Sequence, residues 1–433
     1  MTPAARVAAT IELIERLESG VAADRQIAGY FRQRRYAGSK DRAAIAARVY
    51  AILRRRGELL WRLGLAAAPV DPRQLVLAAL VLIEGRGSDE IAGLFQGGAF
   101  GPPPLTEAER GLLESLQEPA AEPTPDWVRG AYPAWLEEEL RRRFGADLLA
   151  EMAALQDRAA VDLRVNSLRG SREQALAALA AAGIAAAPTP LSPLGIRLAE
   201  PRQLGPEPAY RSGLVEPQDE GSQLAALLVD ARPGMLVIDL CAGAGGKTLA
   251  LAAAMENRGR LYACDSGAGR LARLGPRAAR AGAGIVQPHV IAGAGDALLA
   301  GLAGQADRVL LDVPCSGTGT WRRQPEARWR LTAAELERDR GLQRELLDRA
   351  GGLVKPGGRL VYVTCSLLPG ENRDQIDAFL GRRADFRILP VAGVWAESIG
   401  GRCPADGEYL ELTPRQHGTD GFFAAILSRV GTA

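Results

Sequence analysis

The chain has 433 residues, of which 47% are hydrophobic, 24% charged and only 5% aromatic. At about 150 residues per domain this predicts two or three domains with cores built mainly from Ala, Leu, Val and Ile, and it excludes wholesale disorder. The net charge of +2 is unevenly divided: Arg25 to Arg62 hold eleven bases against Asp41 and Glu58, whereas residues 65–150 hold seven bases and fourteen acids.

No apolar run approaches the roughly 18 residues of a membrane span. Glu12 and Glu15 stand where a signal peptide needs its apolar stretch, so a cytoplasmic protein is expected. Five cysteines without a CxxC pair fit reduced thiols rather than a disulfide frame, and only His289 and His417 are available for a zinc site, so no metal is expected. Lys40, Lys247 and Lys355 are the only lysines; the positive charge is almost all arginine.

Residues 1–158 read as helical. Apolar residues recur at helical spacing at Ile11, Leu13, Ile14 and Leu17, at Ile45, Val49, Ile52 and Leu53 behind a capping signal at Ser39, and at Leu136, Leu140 and Phe144. Proline-rich breaks at Gly101–Pro104 and Glu118–Pro125 separate helices. The pattern changes at Val161–Val165, which alternates like a strand, followed by an Ala-rich helix at about 171–182 and a strand candidate at Gly195–Leu198. Together they predict a small α+β connector at 159–212.

From residue 213 to the end, strands and helices alternate. Strands are predicted at Met235–Cys241, Leu261–Cys264, Arg308–Val313 and Arg359–Thr364, with helices at about 267–281 and 333–351. Two late strands, Tyr409–Thr413 and Phe422–Ser428, suit an antiparallel edge. The fold class is therefore α/β: a Rossmann-like domain with a mostly parallel sheet, behind a connector and an all-helical N-terminal domain.

The strand VIDLC runs into AGAGGKT. Gly243, Gly245 and Gly246 let the backbone turn tightly and leave a helix N-terminus open to a ligand. Twenty residues after Gly245, Asp265 ends the next strand, where an acid can accept hydrogen bonds from ribose hydroxyls. A Walker phosphate loop is excluded by spacing, because GxxxxGKT needs glycine where Cys241 stands. Asp296, in GAGDAL, and Asp312, ending DRVLLDV, put further acids on the same sheet edge. The arrangement suits an adenosine-containing cofactor, and the glycines do not distinguish a nicotinamide dinucleotide from S-adenosylmethionine.

Two cysteines supply the distinction. Cys315 (DVPCSGTG) and Cys365 (VYVTCS) both lie just past strand ends, whereas Cys241 and Cys264 read as packed hydrophobes and Cys403 lies in a loop. Carbon 5 of cytosine becomes nucleophilic when a thiolate adds at carbon 6. One acid, Asp312, and two thiols beside one cofactor fit the addition, ring polarisation and release that this reaction needs.

At these residues the chain resembles the RNA (cytosine-5) methyltransferases of the Nop/Sun family, most closely the bacterial 16S rRNA branch. The resemblance rests on RVNSLRG at Arg164–Gly170, PQDEGSQL at Pro217–Leu224, DLCAGAGGKT at Asp239–Thr248, ACD at Ala263–Asp265, GDA at Gly295–Ala297, DVPCSGTG at Asp312–Gly319, RRQPEARW at Arg322–Trp329, VKPGGRLVYVTCSLLPGEN at Val354–Asn372 and DGFFAAIL at Asp420–Leu427. It implies S-adenosylmethionine as cofactor and RNA, rRNA first, as partner. It makes Cys365 the nucleophile, Cys315 the aid to product release and Asp312 the residue that holds the cytosine edge, with Lys247 orienting the site. It assigns Cys241, Ala242, Gly243, Ala244, Gly245, Gly246 and Lys247 to the methionine end of the cofactor, Asp265 to its ribose and Asp296 to its adenine. Arg270 and Asp312 join the cofactor-binding group. Departures from the family pattern are Ala244 in place of Pro, Val313 in place of Ala, and Glu371–Asn372–Arg373 in place of ENE.

The Arg25–Arg62 segment interleaves arginines with Tyr30, Phe31, Tyr36 and Tyr50, a pattern equally open to RNA contact and to a solvated helix face over a core. Through GSKDR and the helix after it, the segment distantly resembles a NusB-type RNA-binding domain. Arg322, Arg323 and Trp329 either line the route of a flipped base or anchor a loop. A tRNA cytosine-5 methyltransferase and a non-catalytic ribosome assembly factor are the alternatives; a degenerate factor is expected to lack Cys315, Cys365 or Asp312, and all three are present. A DNA cytosine methyltransferase has no need of Cys365, an amino methyltransferase wants an aromatic that DVPC lacks, and a dehydrogenase leaves the paired thiols unexplained. A monomer is expected.

Overall fold

The computed structural model describes residues 1–17, 20–65, 70–98 and 100–431. The chain divides into two compact units: Met1–Asp157 with Trp321–Thr332, and Arg158–Thr320 with Ala333–Ala433.

The first unit is helical. Its central helix, Pro72–Leu82, is apolar all round, and Leu75 to Leu80 are fully buried. It starts where Asp71 accepts from the Arg73 N–H at 2.8 Å, with Pro72 at the first helical position. The stripes Leu13–Ile14–Leu17 and Ile45–Val49–Ile52 pack into the same core. Ser39 does not cap its helix: Gly38 is the N-cap, without a side-chain bond, and Ser39 is the first helical residue.

Trp321–Thr332 belongs to this unit although it follows Cys315 in sequence, and it satisfies helix ends that would otherwise be orphaned. Glu326 accepts from the Ala23 N–H (2.9 Å) at the start of helix Ala23–Gln33. Trp329 Nε1 donates to Leu53 O (2.7 Å) near the end of helix Ser39–Arg54. Arg330 donates to Leu17 O (2.9 Å), Gly20 O (3.0 Å) and Val21 O (2.8 Å). Arg328, with no exposed surface, donates to Ala131 O (2.8 Å) and Leu155 O (3.1 Å).

The second unit contains two sheets. Strands β1 (Asp162–Val165), β2 (Ala186–Pro188), β3 (Gly195–Leu198) and β4 (Val215–Pro217) form an antiparallel sheet in the order β2-β3-β1-β4, beside helix Arg172–Ala181. The larger sheet comprises β5 (Leu236–Asp239), β6 (Arg260–Asp265), β7 (Val286–Val290), β8 (Ala306–Asp312), β9 (Val354–Thr364), β10 (Phe386–Ile388), β11 (Leu410–Leu412) and β12 (Phe422–Arg429). Its order is β10-β12-β9-β8-β5-β6-β7, with β11 also on β12; β5 to β9 are parallel and β10 to β12 antiparallel.

Residues along its strands alternate between two cores. Val237, Leu310, Val361 and Val363 face one, against Leu224, Leu251 and Trp395; Ile238, Val309, Leu311, Leu360 and Tyr362 face the other, against Leu347, Ile376 and Phe379. Both faces are covered over β5, β8 and the latter half of β9, which read as continuous apolar runs, whereas β7 is largely exposed.

The structure refines the sequence reading at three places. β11 and β12 form the expected antiparallel end of the sheet, though β12 itself lies between β9 on one side and β10 and β11 on the other; β10, three residues long, is too short to show a period. The helix expected over 267–281 is two, Ala268–Leu271 and Leu274–Ala281, because Pro276 lacks the N–H that a continuous helix needs. β7 carries Pro288, tolerated because β7 is an outermost strand.

Candidate active site

The strand order reverses direction between β5 and β8, and the loops after those strands open a crevice there, the usual ligand position in open α/β sheets. β5 ends at Asp239, which accepts from Thr248 Oγ1 at 2.6 Å; burial pushes its carboxyl up to about 7. The turn passes Gly243 (φ +56°) and Gly245 (φ +84°), left-handed positions that favour glycine. A Cβ on Gly245 would also lie 2.1 Å from Leu274, whereas one on Gly243 would meet open space.

Asp265 closes this turn. It accepts from the Gly243 N–H (2.8 Å), the Gly267 N–H (2.6 Å) and Arg270 (2.6 Å). The turn is braced from the smaller sheet's side of the unit: Arg164 of β1 donates to Gly246 O (2.7 Å), and Arg277, paired with Glu216 of β4 at 2.8 Å, donates to Ala244 O (2.5 Å). Burial lowers the Arg164 guanidinium to about 10. Nothing in the local sequence marks Arg164, Glu216 or Arg277 as partners of a turn up to 82 residues away; RVNSLRG carries the only hint.

A cavity of about 420 Å³ opens over the turn, lined by Cys241, Gly243, Asp265, Arg270 and Asp312, with Leu342 and Leu346 of helix Ala333–Leu353 opposite. That size and its mix of apolar wall and few polar groups suit a nucleoside-sized ligand. Five of the expected cofactor residues therefore meet at one cavity. Ala242, Ala244, Gly245, Gly246 and Lys247 shape the turn or the helix after it without lining it. Asp296 is buried: it accepts from Ala292 N (2.9 Å) and Leu299 N (3.1 Å), with His289 Nε2 at 2.8 Å, and these bonds hold its carboxyl well below the usual range.

Asp312 also belongs to a cluster with Lys247, Cys315 and Cys365. Lys247 Nζ donates to Asp312 at 2.7 Å. Burial works against the ammonium, but Asp312 outweighs it and leaves the Lys247 pKa raised; the Cys365 sulfur also acts on it. Cys315 Sγ and Cys365 Sγ are 3.6 Å apart. The bond to Cys365, then burial, push the Cys315 thiol well above its ordinary range. Burial, with the nearby carboxylates of Asp239 and Asp296, takes the Cys264 thiol up to about 12, and burial with Asp239, Asp312 and Asp265 raises Cys241; Cys264 is packed in the core as expected, whereas Cys241 is half-buried and lines the cavity. Arg373 turns to Glu411 (2.6 Å). Of the residues offered for a base route, Arg322, Arg323 and Trp329 all fall in the helical unit, where Trp329 is hydrogen-bonded to Leu53 O. Among the described residues no group of three or more His, Cys, Asp or Glu could hold a metal, and no helix is long and apolar enough to cross a membrane.

A family model described as 16S rRNA methyltransferase RsmB/F matches residues 226–428, and one described as the Methyltr_RsmF/B-like ferredoxin-like domain matches residues 132–205. The ribosomal RNA small subunit methyltransferase B of Shewanella oneidensis is 31% identical over 98% of both chains. That of Pseudomonas syringae pv. tomato is 36% identical over 70% of this chain and 67% of its own. Among solved structures, PH0851 superposes with a TM-score of 0.79 at 28% identity over 99% of both chains. A methyltransferase homologue from Pyrococcus horikoshii superposes with a TM-score of 0.59 at 28% identity, over 70% of this chain and 98% of its own. With a sheet edge that carries the glycine turn, Asp312 and both thiols, and with relatives matched along its whole length, the chain belongs to the RsmB/F family of 16S rRNA methyltransferases.

Proposed function

We propose that this protein methylates carbon 5 of a cytosine in 16S rRNA, using S-adenosylmethionine. The observation that carries the reading is the pair of thiols, 3.6 Å apart, on the edge that also bears the glycine turn and Asp312. The cavity fits the cofactor: Gly243 leaves room for close approach, and Asp265 has acceptor capacity left for ribose hydroxyls. Asp296 contributes by ordering the Ile291–Gly293 loop, which lines the cavity, rather than by touching the adenine directly. When bound, S-adenosylmethionine supplies an electrophilic methyl group.

The chain's own residues do the rest. Cys365 adds to carbon 6 of the cytosine, which turns carbon 5 into a nucleophile. Asp312, steadied by Lys247, holds the ring edge on which charge develops. After methylation the proton on carbon 5 passes to the Cys315 sulfur, the C–H electrons restore the ring double bond, and the carbon–sulfur bond breaks to leave Cys365 as a thiolate. Cys315 assists that release from the adjoining loop. In the helical unit, the exposed Arg25, Arg32, Arg35, Lys40 and Tyr36 meet the RNA; their exposure supports this reading.

The test is methyl transfer to 16S rRNA with 5-methylcytosine mapped afterwards. Cys365→Ala is expected to lose at least about 10⁴-fold in rate, about 5.5 kcal/mol, while still binding cofactor. Cys315→Ala is expected to accumulate a protein–RNA adduct that survives denaturant. Full activity of Cys365→Ala, or a methylated product other than 5-methylcytosine, overturns the reading.

A further inference from the structure

Glu371 has no exposed surface and binds no part of the cavity, yet both of its oxygens are fully engaged. Oε1 accepts from the Ser316 N–H and from Gln343 Nε2, each at 2.9 Å. Oε2 accepts from the Ser316 hydroxyl and from Ser366 Oγ, the latter at 2.5 Å. Four donors fill the acceptor capacity of one carboxyl group. Ser316 follows Cys315 and Ser366 follows Cys365, so one side chain grips the residue after each thiol. Gln343 extends the grip by donating also to Pro314 O, the residue before Cys315, at 2.9 Å. Tyr362 Oη donates to Glu371 O at 2.7 Å and fixes the clamp to β9. The two loops come from different strands, 50 residues apart, and are also tied by Ser316 Oγ and Thr318 Oγ1, both 3.2 Å from Ser366 Oγ, by the Leu367 N–H donating to Thr318 Oγ1 (2.7 Å) and by the Gly319 N–H donating to Cys365 O (2.9 Å); Glu371 alone of these bonds the residue directly after each thiol at once.

We infer that Glu371 is a positioning residue that sets the separation of the two thiols, holding Cys315 within reach of Cys365. A buried acid is a costly way to join two loops that apolar packing could also join, and the directionality of four hydrogen bonds is what packing lacks. The importance of that separation for methyl transfer rests on the two-thiol reading above; the separation itself does not.

The test uses Glu371→Gln, which keeps the shape and replaces an acceptor with a donor facing two hydroxyls. Two readouts are taken on the full-length protein after its melting temperature is measured. One is the rate at which diamide, an azodicarboxamide, couples Cys315 to Cys365; the thiols lose two electrons and two protons, the azo bond becomes a hydrazine, and the disulfide is identified by peptide mapping. The other is single-turnover methyl transfer. Both are expected to fall by about tenfold or more in Glu371→Gln. Removing the negative charge near Cys315 by itself favours its thiolate and speeds coupling, so slower coupling reports lost spacing rather than lost charge. Coupling that is unchanged or faster overturns the inference; slower coupling with methyl transfer intact supports the spacing role of Glu371 and counts against the two-thiol reading of the chemistry. Should Glu371→Gln not fold, Ser316→Ala and Ser366→Ala each remove one arm of the clamp, and both readouts must fall in at least one of them. Because coupling needs neither RNA nor cofactor, it stands even if Cys365→Ala proves active, an outcome that removes only the proposed chemistry.

Discussion

The two units handle charge in opposite ways. At the catalytic edge, Asp239, Asp265, Glu371 and Arg164 are buried, and each is held by named partners from other elements. In the helical unit, much of the basic segment is turned inward against its own chain. Arg34 pairs with Glu12, Arg48 with Glu84 and Arg55 with Glu58, while Arg42 and Arg62 donate to backbone carbonyls. The balance of +9 over residues 25–62 therefore overstates the surface charge. What reaches solvent is concentrated at Arg25, Arg32, Arg35 and Lys40, beside Tyr36, which is 71% exposed. Preorganised groups at a low-dielectric edge act singly and strongly; exposed charges act additively and are screened.

That contrast orders the expected effects. Asp312→Asn should reduce turnover by about 10³-fold with a much smaller change in cofactor affinity, measured by single-turnover methylation and calorimetry. A loss no greater than that of a surface arginine would erase the distinction. Gly245→Ala should weaken cofactor binding by about tenfold to thirtyfold, because an L side chain at φ +84° is strained by about 1–2 kcal/mol and its Cβ crowds Leu274. Unchanged affinity would mean that the turn tolerates repacking. The triple change Arg32→Ala, Arg35→Ala, Lys40→Ala should weaken RNA binding by about tenfold at physiological salt and flatten the log–log salt slope by roughly 2. Methylation at saturating RNA should be unaffected; an unchanged slope would move the RNA surface to other residues.

The parallel sheet, the glycine turn and the two thiols were legible because each depends on local pattern: apolar runs ending in glycine, acid or cysteine at strand ends. The bracing of the turn was not, because Arg164 and Arg277 act through carbonyls that any residue could supply. Glu371 was visible only as part of LLPGEN; its function depends on two serines whose proximity is a product of strand order. The extent of the exposed basic surface was not legible, since sequence spacing does not show which arginines find Glu84 or a carbonyl at Leu116. Of Arg322, Arg323 and Trp329, which offered two readings, the structure supports the anchor for Trp329; Arg328, which the sequence did not single out, anchors the same segment.

That anchor has a consequence for how the chain is made. The helical unit includes Trp321–Thr332, so it is still incomplete when Asp157 has been added; the missing piece ends 175 residues later (332 − 157 = 175). At roughly 5–20 residues per second, the interval is roughly 9–35 s. During that time the site for Trp329 beside Gly57, and the carbonyls of Ala131 and Leu155 that Arg328 later caps, await their partners. The first unit to leave the ribosome is thus finished only after the loop bearing Cys315 has been translated, and a fragment cut at residue 157 lacks part of its own interior.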